Sequence, residues 1–173
     1  MLIPNEWKNG KPLRTVCHWT GGAAKASLLD RAHYHILIEQ SGGIVRGLNS
    51  IAANDNCDDG NYAAHTGEMN TRSIGIALCG MAGAVQNPLH HGTSPINKRQ
   101  WDTLIAVCAE LCEHYRIEVS PRTVLMHSEV KATYRTKGNG GKWDISVLPF
   151  ARLLTPANVY HKMRSEIIAK MSA

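Results

Sequence analysis

Ser73-Ile74-Gly75-Ile76-Ala77-Leu78-Cys79, closed by Gly80, is the stretch on which the fold turns. It carries no charge and is apolar almost without a break. A strand with one wet face would alternate apolar with polar residues. An unbroken run of this length fits a central strand covered on both faces, the habit of parallel sheets with helical crossovers.

Other runs join it on either side. Leu13 to Trp19 reads as a first strand, Tyr34-His35-Ile36-Leu37-Ile38 as a second, and Thr123 to His127 as a short third. Ser41-Gly42-Gly43 marks a hairpin turn, from which Ile44-Val45-Arg46-Gly47-Leu48 returns. Helical patterns lie between the strands. Ala23 to Ala32 follows a turn at Gly21-Gly22. Trp101, Leu104, Ile105, Cys108, Leu111, Cys112 and Tyr115 recur at helical spacing and form one core-facing stripe, behind Ser94 as N-cap and Pro95 at the first helical position. Val147 to Leu154 and Ala157 to Met171 read as two more helices. Ser50 to Ala64, Met81 to Thr93 and Ser128 to Gly141 read as loops. The expected architecture is one α/β domain over residues 1–173, a central mixed β-sheet with helices on both faces.

A chain of 173 residues suits one domain with a real core, and 43% hydrophobic with 19% charged residues excludes a disordered chain. The formal net charge of +5 favours an anionic partner such as nucleic acid, a membrane surface or an acidic wall polymer, although so small an excess serves solubility equally well. No run is long enough to span a bilayer. The opening Met1-Leu2-Ile3-Pro4-Asn5-Glu6-Trp7 lacks the basic-then-apolar pattern of a signal peptide, so synthesis in the cytoplasm is expected, with delivery by another factor. Five cysteines are an odd and scattered set. They read as free thiols behaving as small hydrophobes in a reducing compartment, not as a disulfide framework.

Chemistry centres on three residues that end or follow short apolar runs: His18, His127 and Asp144. Two imidazoles and a carboxylate can hold a catalytic zinc with one position left open. Spacing alone says little, because no two of the three share a short motif and the chain has nine histidines. His90-His91 competes from a loop of no clear architecture. His33 and His35 share one strand face but have no neighbouring carboxylate.

Five blocks in order tip the balance. Cys17-His18-Trp19-Thr20 is the first and Tyr34-His35-Ile36-Leu37-Ile38 with Gly42-Gly43-Ile44-Val45 the second. Ala64-His65-Thr66, Asn70 and Ser73-Ile74-Gly75-Ile76-Ala77 make the third, Met126-His127-Ser128-Glu129 the fourth, and Lys142-Trp143-Asp144 with Pro149-Phe150 the last. Over residues 13–150 the chain resembles the zinc-dependent N-acetylmuramoyl-L-alanine amidases that share a fold with peptidoglycan recognition proteins and small phage lysozyme-type amidases. Residues 151–173 then form a C-terminal helical extension.

The resemblance implies roles. His18, His127 and Asp144 would hold Zn2+, which lowers the pKa of water and polarises the amide carbonyl between muramic acid and L-alanine. Tyr34 and Lys142 would be the catalytic residues that stabilise the oxyanion. Lys142 stands two residues before Asp144, which in an extended segment puts both on one face. His65 and Asn70 would line the substrate groove; loop pinning by Asn side chains is an equal alternative. One family branch carries a Glu after Ser-Ile-Gly-Ile. This chain has Ala77-Leu78-Cys79 there, so the general base is left unassigned and the branch with Tyr near the zinc fits better.

Lys131, Arg135, Lys137 and Lys142, among Gly138, Gly140 and Gly141, make a basic loop that could meet stem-peptide carboxylates, with a plain solvated loop the more economical account. The last helix carries Val159, Met163, Ile167 and Met171 on one side, and docking on the domain is preferred to membrane binding. The expected protein is a monomeric peptidoglycan amidase, a phage or prophage endolysin, without nucleic-acid partner or stable membrane insertion. A non-catalytic recognition domain, a recycling amidase and an injected effector are the alternatives. Recognition domains of this kind typically lose a metal ligand, and here all three positions are filled.

Overall fold

A computed structural model describes all residues, 1–173. Five strands form one sheet in the order β3-β2-β4-β1-β5. They are β1 (Arg14–Trp19), β2 (Ile36–Ile38), β3 (Ile44–Arg46), β4 (Ser73–Leu78) and β5 (Val124–Met126). β4 runs parallel to β1 and β2, and β1 parallel to β5, while β3 is antiparallel to β2 at the edge. The mixed sheet is as the sequence implies, and all six residues of β4 are buried.

Alternation along the strands sorts two cores. Cys17, Trp19, Ile74, Ile76, Leu78, Val124 and Met126 point to one face and meet the helices α2 (Lys98–Tyr115) and α4 (Pro156–Met171). Val16 and Leu125 point to the other and meet Val130 of α3 (His127–Tyr134). By the same alternation His18 shares the α3 side with Val16. A short α1 (Leu28–His33) leads into β2.

The helix boundaries depart from the sequence reading for local reasons. α1 starts at Leu28, five residues later than expected, because Ser27 and Asp30 make a reciprocal capping box there. α2 starts at Lys98, where Asn97 and Gln100 cap one another. Ser94 does not cap it; its carbonyl accepts the Met81 N–H and closes the preceding loop. Gln100 is fully buried and its amide donates to the Ile38 and Cys79 carbonyls, which ties α2 to the ends of β2 and β4.

Two segments are reassigned. Residues 147–154 form turns, not a helix. Pro149 lacks an N–H and pushes Leu148 away from helical torsions, and only isolated three-residue bonds such as Ala151 N–H to Leu148 O form. The first half of the expected 128–141 loop is α3. Its N-cap is Met126, which no sequence rule marks, and the Glu129 carboxylate accepts the Met126 N–H instead.

α4 packs as expected. Val159, Met163 and Ile167 are fully buried. Burial of three such side chains is worth roughly 5–9 kcal/mol before entropy is counted. Trp101 of α2 donates its indole N–H to Glu166 of α4 at 2.6 Å. No helix is long and apolar enough to cross a membrane. All five cysteines are free thiols; Cys57 is half-buried and the other four are buried.

Candidate metal centre and its cleft

The site sits at the carboxyl ends of the parallel strands, the usual place for ligands in open α/β sheets. His18 lies near the end of β1, and His127 directly follows β5 as the first residue of α3. Asp144 arrives from a distant segment that is fastened twice. Its carbonyl accepts the Ser128 N–H at 2.8 Å, and the neighbouring Trp143 packs edge-on against Trp19 with ring centroids 4.6 Å apart.

Three ligand atoms converge. His18 Nδ1 and His127 Nδ1 are 3.0 Å apart, His18 Nδ1 and Asp144 Oδ2 3.1 Å, and His127 Nδ1 and Asp144 Oδ2 3.2 Å. All three residues are buried. Zinc bonds of ~2.0–2.1 Å at tetrahedral angles place donor atoms about 3.3–3.4 Å apart, so the triangle is close to the size zinc requires.

Hydrogen bonds fix what those atoms can be. His127 Nε2 faces Asn139 Oδ1 at 3.0 Å and must donate to it, because the Asn139 amide nitrogen is turned to the Gly67 carbonyl. His65 Nε2 faces the Ser73 carbonyl at 3.3 Å and must likewise donate, which leaves His65 Nδ1 as the acceptor 3.2 Å from His18 Nε2. Both metal-facing Nδ1 atoms are therefore bare lone pairs. Two lone pairs and a carboxylate oxygen at such range, with no proton between them, repel unless a cation lies among them. That donor chemistry fits zinc.

The electrostatics agree. Burial pushes His18 down to about 4, aided by the nearby His127 and Lys142 and opposed by Asp144. Burial also drives His65 well below the usual imidazole range, with His18 and His35 adding to it. Neutral imidazoles and an ionised carboxylate are the protonation states that bind metal.

A cleft of about 490 Å3 opens over the triad. Tyr34, Lys142, His65, His127 and Asp144 line it together. Tyr34 stacks obliquely near His18, with ring centroids 5.1 Å apart. Burial, reinforced by Asp144 and Asp30, pushes its phenol up, so the hydroxyl keeps its proton at neutral pH. Lys142 is exposed and forms no ion pair within the protein.

His65 and Asn70 occupy different places. His65 reaches the cleft wall and also abuts His18. Gly75 is what admits it: a Cβ there would lie 2.5 Å from the His65 ring. Asn70 lies outside the cleft lining, and its Oδ1 accepts the N–H groups of His65 and Thr66 at 3.0 and 2.8 Å, pinning that loop. Of the rival histidines, His33 also lines the cleft, but His35 is engaged elsewhere, with Nε2 on Asn54 and Nδ1 on the Gly75 N–H. His90 and His91 lie outside the cleft.

Supporting residues went unforeseen. Asn139 orients His127. Thr66 Oγ1 lies 2.8 Å from His65 Nδ1 and 3.3 Å from His18 Nε2. Glu129 caps α3 and pairs with Arg164 of α4 at 3.0 Å, and Tyr160 of α4 donates to Ser128 Oγ at 2.9 Å. A Glu two residues after His127 was the one readable hint. Asn139 left none.

Fold and site together define an α/β protein with a buried His2Asp cluster that could hold a metal, beneath an open cleft. The sequence matches the N-acetylmuramoyl-L-alanine amidase family (Amidase_2) over residues 8–144, and the chain belongs to that family. No curated protein matches it significantly. Among solved structures it is similar to the Staphylococcus aureus hydrolase AmiA in complex with its ligand, at 13% identity and a TM-score of 0.56, covering 94% of this chain and 76% of that one. It is also similar to the N-acetylmuramoyl-L-alanine amidase LysC from Clostridium intestinale, at 20% identity and a TM-score of 0.46, covering 75% and 89%. The Ph2119 endolysin from a Thermus scotoductus bacteriophage aligns at 20% identity and a TM-score of 0.47, covering 70% and 74%. Likeness at such identities concerns the fold.

Proposed function

We propose that this protein is a zinc-dependent amidase that hydrolyses the bond between N-acetylmuramic acid and L-alanine in peptidoglycan, and that it serves as a phage or prophage endolysin. The observation that carries the reading is the convergence of His18 Nδ1, His127 Nδ1 and Asp144 Oδ2 into a triangle with edges of 3.0–3.2 Å under an accessible cleft. Family membership supplies the bond class.

His18, His127 and Asp144 would hold the metal, which when bound supplies an activated water and a Lewis acid. The chain's own groups do the rest. The protonated Tyr34 hydroxyl makes no hydrogen bond within the protein and is free to donate to the carbonyl oxygen as it gains charge. The Lys142 ammonium, unpaired on the same cleft, stabilises that charge. His65 and Thr66 hold His18 in the tautomer that leaves Nδ1 bare, and Asn139 does the same for His127. The chain acts as a single domain and as a monomer, made in the cytoplasm and brought to the wall by another factor.

Purified sacculi digested with zinc-loaded protein, chelator-stripped protein and the His127→Ala variant test this. New L-alanine N-termini, read by mass spectrometry, are expected with the loaded protein alone. Undiminished cleavage by His127→Ala, or cleavage at another bond, refutes it.

A further inference from the structure

Two segments of the chain stand out for what they lack. Residues 81–97 and 145–160 contain no Asp or Glu, and Arg152 is their one Lys or Arg. The fold sets them side by side. Leu89, His91 and Ile96 of the first and Phe150 and Arg152 of the second line one hollow of about 660 Å3, and no carboxylate lines it with them.

Both segments are held in place. Val85 and His90 exchange backbone hydrogen bonds of 2.8 and 2.9 Å and so close a hairpin tip over residues 86–89. Its base is pinned by the Thr93 N–H, which donates to the Ala82 carbonyl at 2.9 Å. In the second segment Phe150 meets Trp101 of α2 edge to face, with ring centroids 6.4 Å apart. Arg152 Nε donates to the Pro149 carbonyl at 3.1 Å.

These fixed turns nevertheless hold large apolar side chains in water. Leu153 is 99% exposed, more than any other large apolar residue of the chain, with Leu89 at 52% and Val85 at 47%. A single exposed leucine means little, but here three such residues crown two adjoining turns. Among them stands a guanidinium that forms no ion pair within the protein. Burial, with the nearby Arg152 and His90 adding to it, pushes His91 below the usual imidazole range.

We propose that this surface docks on an anionic phospholipid bilayer, with Leu89 and Leu153 entering the acyl boundary and Arg152 at headgroup level. Apolar tips beside a cation match that boundary, where a long basic side chain keeps its charge among the headgroups. An anionic leaflet supplies the counter-charge that the protein withholds. The contact is peripheral, since no helix is long and apolar enough to cross a membrane. One segment leads away from the end of β4 and the other from Asp144, so a docked chain keeps its metal-site cleft near the membrane.

The test is co-sedimentation of the full chain with vesicles of phosphatidylglycerol and phosphatidylcholine mixed equally, against vesicles of phosphatidylcholine alone. Binding to the anionic vesicles is expected to be the tighter. Leu89→Ser/Leu153→Ser should weaken it roughly tenfold or more, and Arg152→Gln about fivefold. Melting temperature and sacculus cleavage should stay as in the parent chain, because these side chains are exposed and lie outside the metal-site cleft. Leu28→Ser/Leu29→Ser removes two exposed leucines of α1 and should leave vesicle binding unchanged. No binding to anionic vesicles overturns the proposal. So does equal binding to both vesicle types, or an equal loss in the α1 variant. A dimer of the unaltered chain in sedimentation equilibrium that Leu89→Ser/Leu153→Ser dissolves would assign the surface to a second copy and overturn it too.

Discussion

Asn139→Ala is expected to weaken zinc binding ten- to hundredfold, although Asn139 would not touch the metal. Its Oδ1 accepts the His127 Nε2–H at 3.0 Å, and the residue is only 3% exposed. Removing it strands a buried ring N–H and frees the imidazole to rotate or to carry its proton on Nδ1, the atom that faces the other two ligands. Outer partners of metal-bound histidines are worth about that factor, or roughly 1.4–2.7 kcal/mol. Asn139 has a second job, since its Nδ2 donates to the Gly67 carbonyl at 2.8 Å and to Thr136 Oγ1 at 2.9 Å. Asn139→Asp separates the two. A carboxylate still accepts from His127 but can no longer donate to Gly67. The aspartate variant should keep its zinc affinity and lose thermal stability, and the alanine variant should lose both. Competition with a chromophoric chelator reads the first quantity and a melting curve the second. If Asn139→Ala held zinc within twofold of the parent protein, the tautomer argument would be refuted.

Lys142→Ala should retain zinc, read by metal analysis, and lose two to three orders of magnitude in kcat, the range for a lost oxyanion donor; unchanged turnover would return it to a solvated role. Arg164→Met leaves the Glu129 carboxylate buried and unpaired, with side-chain exposures of 15% and 9% in the pair, and should cost about 3 kcal/mol. Adding Glu129→Gln should restore part of that in a urea titration. Acid should destabilise the fold through His35, which burial pushes down to about 4 from 6.5. The unfolded chain takes up the proton first, so this contribution is complete above about pH 6.5 and is lost as pH falls towards 4, about 3 kcal/mol in all. Urea midpoints over that range should fall with acid in the parent chain and fall less steeply in His35→Gln.

Much of the fold was legible because its signals are dense and local. β4 announces itself by an apolar run that a doubly covered strand uses, and α2 and α4 by stripes that are buried except at their last members, Tyr115 and Met171, which are half-buried. What was not legible are boundaries set by competition. Ser94 and Pro95 make as good a helix start on paper as Asn97 and Gln100. The choice between them rests on Met81, whose N–H claims the Ser94 carbonyl from a different part of the chain. α3 was invisible for a related reason: the Met126 N–H just before it is taken by Glu129 from inside the helix and the Ser128 N–H by the Asp144 carbonyl from a distant segment, after a Met that no capping preference favours.

The site divides along the same line. Metal ligands are confined by chemistry to a few residue types, and among nine histidines His18 and His127, with Asp144, could be nominated because they fall in ordered blocks that resemble the amidase family. Their supporting partners answer to geometry alone. An imidazole N–H accepts help from any oxygen within about 3 Å, so His127 could have been oriented by a carbonyl, a hydroxyl, a carboxylate or a water. That the partner is Asn139, and that Arg164 of the last helix steadies the turn bearing His127 through Glu129, are facts of packing. They also bind residues beyond the 8–144 family match to the metal centre, because the helix that completes the core on one face of the sheet reaches the ligand-bearing turn on the other. A protein cut at residue 150 would on this account keep all three ligands and lose the order that brings them together.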